Sequence, residues 1–136
     1  MTVIDTSAFM KFFLQDQGWE DVLPYLTTTS SPKTVDLLVT ESANVLWKSA
    51  RTGLIEKEQV PLLYSSMELL FTQGPLILTP SLQFMAEALS IALFLDIPVY
   101  DALFIAQARS DHSPLVTADR QQALCAKKSG VTAILV

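Results

Sequence analysis

One cysteine, one histidine and four glycines in 136 residues exclude several kinds of chemistry at the outset. A single thiol, Cys125, rules out an internal disulfide and any multi-cysteine zinc site, and it reads most simply as a small apolar residue in a helix. The lone histidine, His112, stands between Asp111 and Ser113 in a turn-like stretch, which disfavours it as a metal ligand or a base. Positive charge is also short. Nine Lys and Arg against 14 Asp and Glu give a net charge of −5 and a pI of about 4.6. That balance disfavours nonspecific clamping of nucleic-acid backbone and leaves only a local basic patch or a metal-bridged contact. Unbroken hydrophobic runs are missing too. The longest uncharged stretch, Leu69 to Ala86, is interrupted by Gly74, Pro75 and Pro80, so no membrane segment is expected despite a mean hydropathy of +0.36. No basic region precedes the first apolar residues and Asp5 interrupts them, so no secretory signal is expected and the cytoplasm is the default location.

What the chain does contain is an alternation of short β-branched runs with longer stretches of helical period. The runs are Thr2 to Ile4, Val35 to Val39, Leu76 to Leu78, Leu115 to Thr117 and Val131 to Val136. They lack inside/outside alternation, as strands covered on both faces do, which predicts a three-layer α/β/α domain over residues 1–136 with a mostly parallel sheet of about five strands. Helices are expected from Thr6 through Leu14, briefly from Trp19 to Leu26, from Thr40 to near Gly53, from Glu56 to Phe71, from Leu82 to Leu95 with Ser81 as cap, from Tyr100, and from Arg120 to Lys128. Thr27 to Pro32 reads as a loop. The helix from Tyr100 is apolar almost all round, since from Ala102 to Ala108 only Gln107 is polar, so it belongs in the core with Asp101 at a buried mouth.

Four acids share a placement. Asp5, Glu41, Asp101 and Asp119 each fall where a strand has just ended or a helix is starting, and in a parallel sheet those positions gather on the strands' carboxyl edge. Any one of them alone is explained as a helix cap, worth roughly 1 kcal/mol. Two carboxylates within about 4 Å repel by about 4 kcal/mol at an effective dielectric near 20, so capping alone does not account for convergence. A divalent cation does, and an all-oxygen set suits Mg²⁺ or Mn²⁺ better than zinc. Asp36 is expected early in its strand, on the opposite edge.

These residues resemble a known family. Val3-Ile4-Asp5-Thr6-Ser7, Thr40-Glu41 opening a helix, Tyr100-Asp101-Ala102 before Phe104-Ile105-Ala106, and Leu115-Val116-Thr117-Ala118-Asp119-Arg120 are similar, in order and spacing over the whole chain, to the PIN domain, and most of all to compact ribonucleases of the VapC toxin type. The resemblance implies metal-dependent RNA cleavage, with Asp5, Glu41, Asp101 and Asp119 holding one or two Mg²⁺ or Mn²⁺ ions and products that carry 5′-phosphate and 3′-hydroxyl ends. Thr6, Ser7 and Thr117 would orient a carboxylate or a water, with helix capping as their alternative role. Lys11, Lys48, Arg51, Arg109 and Arg120 each follow one of the acids on a helix and are candidates for phosphate contact; their alternative is to complement helix dipoles.

The predicted helices Glu56 to Phe71 and Leu82 to Leu95 carry more apolar surface than a small sheet needs, which suggests a homodimer or a groove for a partner helix such as a small antitoxin. A PIN-like scaffold or RNA-binding module without strong catalysis is the alternative reading. A phosphoacceptor receiver domain stands further off, because it wants adjacent acids after the first strand, where Thr6-Ser7 follow Asp5, and a lysine late in the chain.

Overall fold

The computed structural model describes residues 1–136 as five strands, six α-helices and short 3₁₀ turns. Strands β1 (Thr2–Ile4), β2 (Pro32–Val35), β3 (Ile77–Thr79), β4 (Leu115–Thr117) and β5 (Ala133–Leu135) form one sheet in the order β3-β2-β1-β4-β5, with every pairing parallel. Helices α1 (Thr6–Phe13), α2 (Leu37–Arg51), α3 (Val60–Gln73), α4 (Met85–Leu95), α5 (Val99–Ser110) and α6 (Arg120–Lys128) cover it. The expected α/β layering with a parallel sheet of five strands is therefore what the chain adopts. From β1 the strands step outward to β3, then the chain returns to place β4 on the other side of β1. The direction of winding reverses between β1 and β4, and the crevice outside the carboxyl ends of such a strand pair is where open α/β sheets bind ligands.

Helix α5 holds the layers together. Ala102 to Ala108 are all buried, and Gln107, the one polar residue among them, donates from Nε2 to Thr79 Oγ1 on β3 at 3.2 Å. Around it Val3, Ile4, Val35, Leu115 and Val116 from the strands join Phe9, Leu38, Leu46 and Met67 from the helices in one continuous core. Helices α4 and α5 meet at a bend of 116°, and no single helix is long and apolar enough to cross a membrane.

Several boundaries differ from expectation, each for a physical reason. The second strand ends at Val35 instead of starting there, and Leu37 to Val39 open α2. Leu38, Ser42, Leu46 and Ser49 are the buried positions of that helix, so the apolar run is its inner face; a short apolar run does not by itself distinguish strand from helix. Two corrections follow. Glu41 lies in the second turn of α2 instead of the first, and Asp36 lies just past the end of β2, on the carboxyl edge instead of the opposite one. Ser81 does not cap a helix: its N–H and hydroxyl both donate to Asp36 Oδ1, and Ser81–Phe84 forms a 3₁₀ turn before α4. The predicted loop at Thr27 contains a 3₁₀ turn, Thr28–Ser30, capped by Thr27 Oγ1 accepting from Ser30 N. The short helix from Trp19 is also 3₁₀, with Pro24 inside it. Asp101, expected at a buried mouth, is exposed: Val99 and Tyr100 begin α5 outside the core, and burial starts at Ala102.

The turn out of α3 leaves no space at Gly74, where a Cβ would stand 2.4 Å from the Leu70 carbonyl oxygen. Gly74→Ala is expected to destabilise the protein by about 1–3 kcal/mol, read from the urea midpoint, with an unchanged far-ultraviolet circular dichroism spectrum.

Candidate functional site

Asp5 follows β1 and Asp119 follows β4, neighbouring strands in the sheet, and both line one cavity of about 250 Å³. Glu41 from the second turn of α2 and Asp101 from the first turn of α5 complete its wall, together with Thr6, Ser7, Phe104 and Gln122. Four segments far apart in the chain thus bring all four predicted acids to the crevice beside the reversal of winding.

Two of the acids are also caps. Asp5 Oδ1 accepts from Ala8 N at 3.0 Å and from Ser7 Oγ at 2.7 Å, at the start of α1. Asp119 Oδ1 accepts from Gln121 N at 2.8 Å and Gln122 N at 3.2 Å, at the start of α6. Capping and the cavity are compatible at Asp119 because Oδ1 takes both bonds and Oδ2 meets no protein donor.

The predicted hydroxyls organise the acids. Thr6 Oγ1 donates to Glu41 Oε1 at 2.6 Å, a bond across 35 residues that ties α1 to α2. Ser7 donates its hydroxyl proton to Asp5, and its Oγ lies 3.1 Å from Thr117 Oγ1, whose own hydroxyl is directed at the same carboxylate. Ser7 Oγ also accepts from Ala118 N at 2.9 Å, and Thr117 Oγ1 accepts from Asp119 N at 3.0 Å. The ends of β1 and β4 are thereby stitched together by side chains beyond the last ladder bond.

Charge in the cavity has no protein counter-ion. The one ion pair of the chain, Arg109 to Glu87 at 3.3 Å, lies elsewhere, and no Lys or Arg lines the cavity. Burial pushes Asp5, only 4% exposed, up to about 6; hydrogen bonds from Ser7, Thr117 and Ala8 hold it down, and the charge of Asp119 adds to the rise. Burial likewise raises Glu41, against the bond from Thr6, with Asp101 and Asp5 contributing repulsion. Asp101 is raised by partial desolvation and then by Asp119. No three of the acids stand close enough together to close directly around one ion. Clustered, uncompensated carboxylate oxygens are a donor set for a hard divalent cation, and Mg²⁺ commonly keeps several of its waters and takes only one or two carboxylates. The residues fit such an ion on those terms.

None of the five predicted cations lines this cavity. Lys11 packs beside Gly18, and Arg51 covers the ring of Trp47 at 4.9 Å, with Lys48 in the same last turn of α2. Arg109 lines a cavity with Pro114 and Thr132, at the opposite edge of the sheet. Arg120 is exposed next to Asp119. Sequence reasoning missed Gln122. It is buried and its Nε2 donates to the Asp101 carbonyl at 2.9 Å, fastening the start of α5 to that of α6. An Asp119-to-Gln122 spacing matches a capping box, in which the glutamine would reach back to the cap; here it reaches the neighbouring helix instead.

The PIN domain model matches residues 2–128, so the chain belongs to the PIN domain family. It is 29% identical over 121 residues to "Ribonuclease VapC3" of Pyrobaculum aerophilum, covering 89% of this chain and 91% of that protein. Among solved structures, PAE2754 from Pyrobaculum aerophilum superposes with a TM-score of 0.69 at 22% identity, over 97% of this chain and 82% of the other. FitAcB from Neisseria gonorrhoeae gives 0.65 at 19% identity, over 98% and 96%, and a toxin-antitoxin complex from Klebsiella pneumoniae gives 0.59 at 13%, over 90% of each.

The raised Asp5 carries a sign for stability. The folded state holds this proton more tightly than the unfolded chain, so between 3.8 and about 6 stability falls as pH rises. Asp5→Asn keeps a capping oxygen and removes the buried charge. In metal-free buffer its unfolding free energy, from urea titration, is expected to exceed that of the wild type at pH 7 by roughly 1–3 kcal/mol and to converge with it at pH 4.

Proposed function

We propose that this chain is a metal-dependent endoribonuclease of the VapC-like toxin type, working as a single domain over residues 1–136 with Asp5, Glu41, Asp101 and Asp119 as ligands of Mg²⁺ or Mn²⁺. The observation that carries the reading is the lining of one cavity by four carboxylates without a protein cation among them. The "Ribonuclease VapC3" relative and the toxin-antitoxin complex from Klebsiella pneumoniae support the substrate and the toxin role.

When bound, the ion supplies Lewis acidity, lowering the pKa of a water and offsetting charge on a phosphodiester. The chain's own part is to hold the donors. Thr6 fixes Glu41, Ser7 and Thr117 fix Asp5, and the cap bonds fix Asp119. Gln122 keeps Asp101 in place by anchoring its backbone. Without a cation these acids repel an RNA phosphate, so cleavage requires the metal, and the net charge of −5 is no obstacle once the ion is there. Of the predicted basic residues, Arg120 is the one placed beside the rim for phosphate contact; the positions of Lys11, Lys48, Arg51 and Arg109 suit structural roles. One observation favours a second reading, a weakly catalytic scaffold or RNA-binding module: no three acids are close enough to surround an ion directly.

Two tests separate these. With Mn²⁺ or Mg²⁺ the wild type is expected to cut RNA to 5′-phosphate and 3′-hydroxyl ends. Asp5→Asn and Asp119→Asn should each reduce the rate by about a hundredfold or more while melting cooperatively. Mn²⁺ should also raise the melting temperature of the wild type and not of Asp5→Asn. Binding of RNA without cleavage under either metal would favour the scaffold.

Assembly is part of the proposal. Leu93 and Phe94 of α4 are 84% and 80% exposed, with Leu82 and Leu89 nearby, and Leu62 and Leu69 stand out on α3. Such surface supports a homodimer and a small antitoxin partner. Light scattering should give about twice the 15.0 kDa chain mass, and Leu93→Glu with Phe94→Glu should return it to the monomer mass; a monomeric wild type would remove the dimer.

A further inference from the structure

The acid cavity has a neighbour on the same sheet edge whose chemistry is different. It is about 580 Å³ in volume and is lined by Asp36, Ser81, Met85, Val99, Tyr100 and Leu103 among others. The two cavities share walls residue by residue. Glu41 lines the first and Thr40 the second; Asp101 the first and Tyr100 the second; Phe104 the first and Leu103 the second. Consecutive Cα atoms are 3.8 Å apart, so only the thickness of α2 and α5 backbone separates a phosphate held at the acids from whatever fills the apolar neighbour.

What fills it is limited by its lining. Met85, Val99 and Leu103 present apolar surface, and Tyr100, 63% exposed, stands beside them. The one charged residue is Asp36. Its Oδ1 takes both bonds from Ser81, and its Oδ2 meets no protein donor. No Lys or Arg is present, so a phosphate is repelled while a flat neutral group bearing an N–H donor is favoured. A ring of that kind stacks on Tyr100 and donates to Asp36, as exposed bases do on aromatic side chains and as the exocyclic amine of cytosine does to a carboxylate.

We propose that this cavity is the pocket for the base flanking the scissile phosphate, and that it prefers bases with an amino group over uracil, whose one base-edge donor, N3–H, stands between two carbonyl oxygens that the Asp36 carboxylate repels. Tyr100 is the stacking platform and Asp36 the selector. The occupant rests on the nuclease reading; the test is arranged so that the two fail separately.

The experiment follows the methyl resonances of Met85, Val99 and Leu103 in metal-free protein titrated with the phosphate-free nucleosides cytidine and uridine, in parallel with cleavage of a randomised RNA pool in Mn²⁺. Cytidine is expected to shift these methyls saturably and to bind at least about fivefold more tightly than uridine. Asp36→Asn should shrink that ratio below about twofold, and Tyr100→Ala should weaken both nucleosides by about tenfold. In the pool, the base next to the cut should be biased against uracil in the wild type and unbiased in the products of Asp36→Asn. Cleavage without base bias and without methyl shifts overturns the pocket and leaves the nuclease standing. Selective cytidine shifts in a protein that cuts no RNA support the pocket and overturn the nuclease. Equal affinity for cytidine and uridine overturns the selectivity assigned to Asp36.

Discussion

Like charges gathered without a counter-ion are the constraint around which this molecule is arranged. A carboxylate as buried as Asp5 is costly to keep ionised, and its proton is held up to about 6 by that burial. Repulsion within the group adds to the cost, since Asp119 raises Asp5 and Asp101, and Asp101 raises Glu41. Folding tolerates the arrangement because other bonds partly offset it. The same oxygens cap α1 and α6, and the hydroxyls of Thr6 and Ser7 solvate Glu41 and Asp5 from inside the protein. What remains is a cavity of carboxylates with no Lys or Arg among its lining.

The rigidity of that site comes from the sheet and from one helix. Asp5 and Asp119 stand at the ends of adjacent strands, where the ladder fixes backbone position to within a bond length. Asp101 is carried by a helix whose next seven residues are all buried, so it has no freedom to slide. Glu41 depends on the packing of Leu38, Ser42 and Leu46. Gln122 links two of these supports by a single bond to a backbone carbonyl. Such a frame suits a reaction in which the protein's task is to hold charge in place, because preorganised donors need not reorient as the reaction proceeds.

The carboxyl edge of the sheet carries a second consequence. Helices α2 and α5 each start there, and because neighbouring residues of a helix point about 100° apart, Thr40 and Glu41, like Tyr100 and Asp101, face different cavities. The polar cavity and the apolar one are therefore products of the same two helix starts. Along that edge a charged surface and a hydrophobic one therefore lie side by side.

Composition and local pattern were enough to determine the layering, the parallel sheet and the placing of four acids at strand ends and helix starts. Runs such as Val3-Ile4 and Leu115-Val116 have no exposed face, and Asp5 and Asp119 sit where a strand hands over to a cap, signals that depend only on neighbours in the chain. The register of β2 was not legible, because Leu37-Leu38-Val39 is apolar enough for either strand or helix and only packing against the core selects the helix. That choice moved Asp36 to the functional edge and Glu41 one turn along α2. The partner of Gln122 was hidden for the same reason: a capping pattern names a donor and leaves its acceptor open, and only the approach of α5 supplies the Asp101 carbonyl. Distances between segments 35 or 110 residues apart are set by how helices pack on the sheet, so the meeting of the acids, and the separation of basic Arg109 from them, were decided by tertiary structure alone.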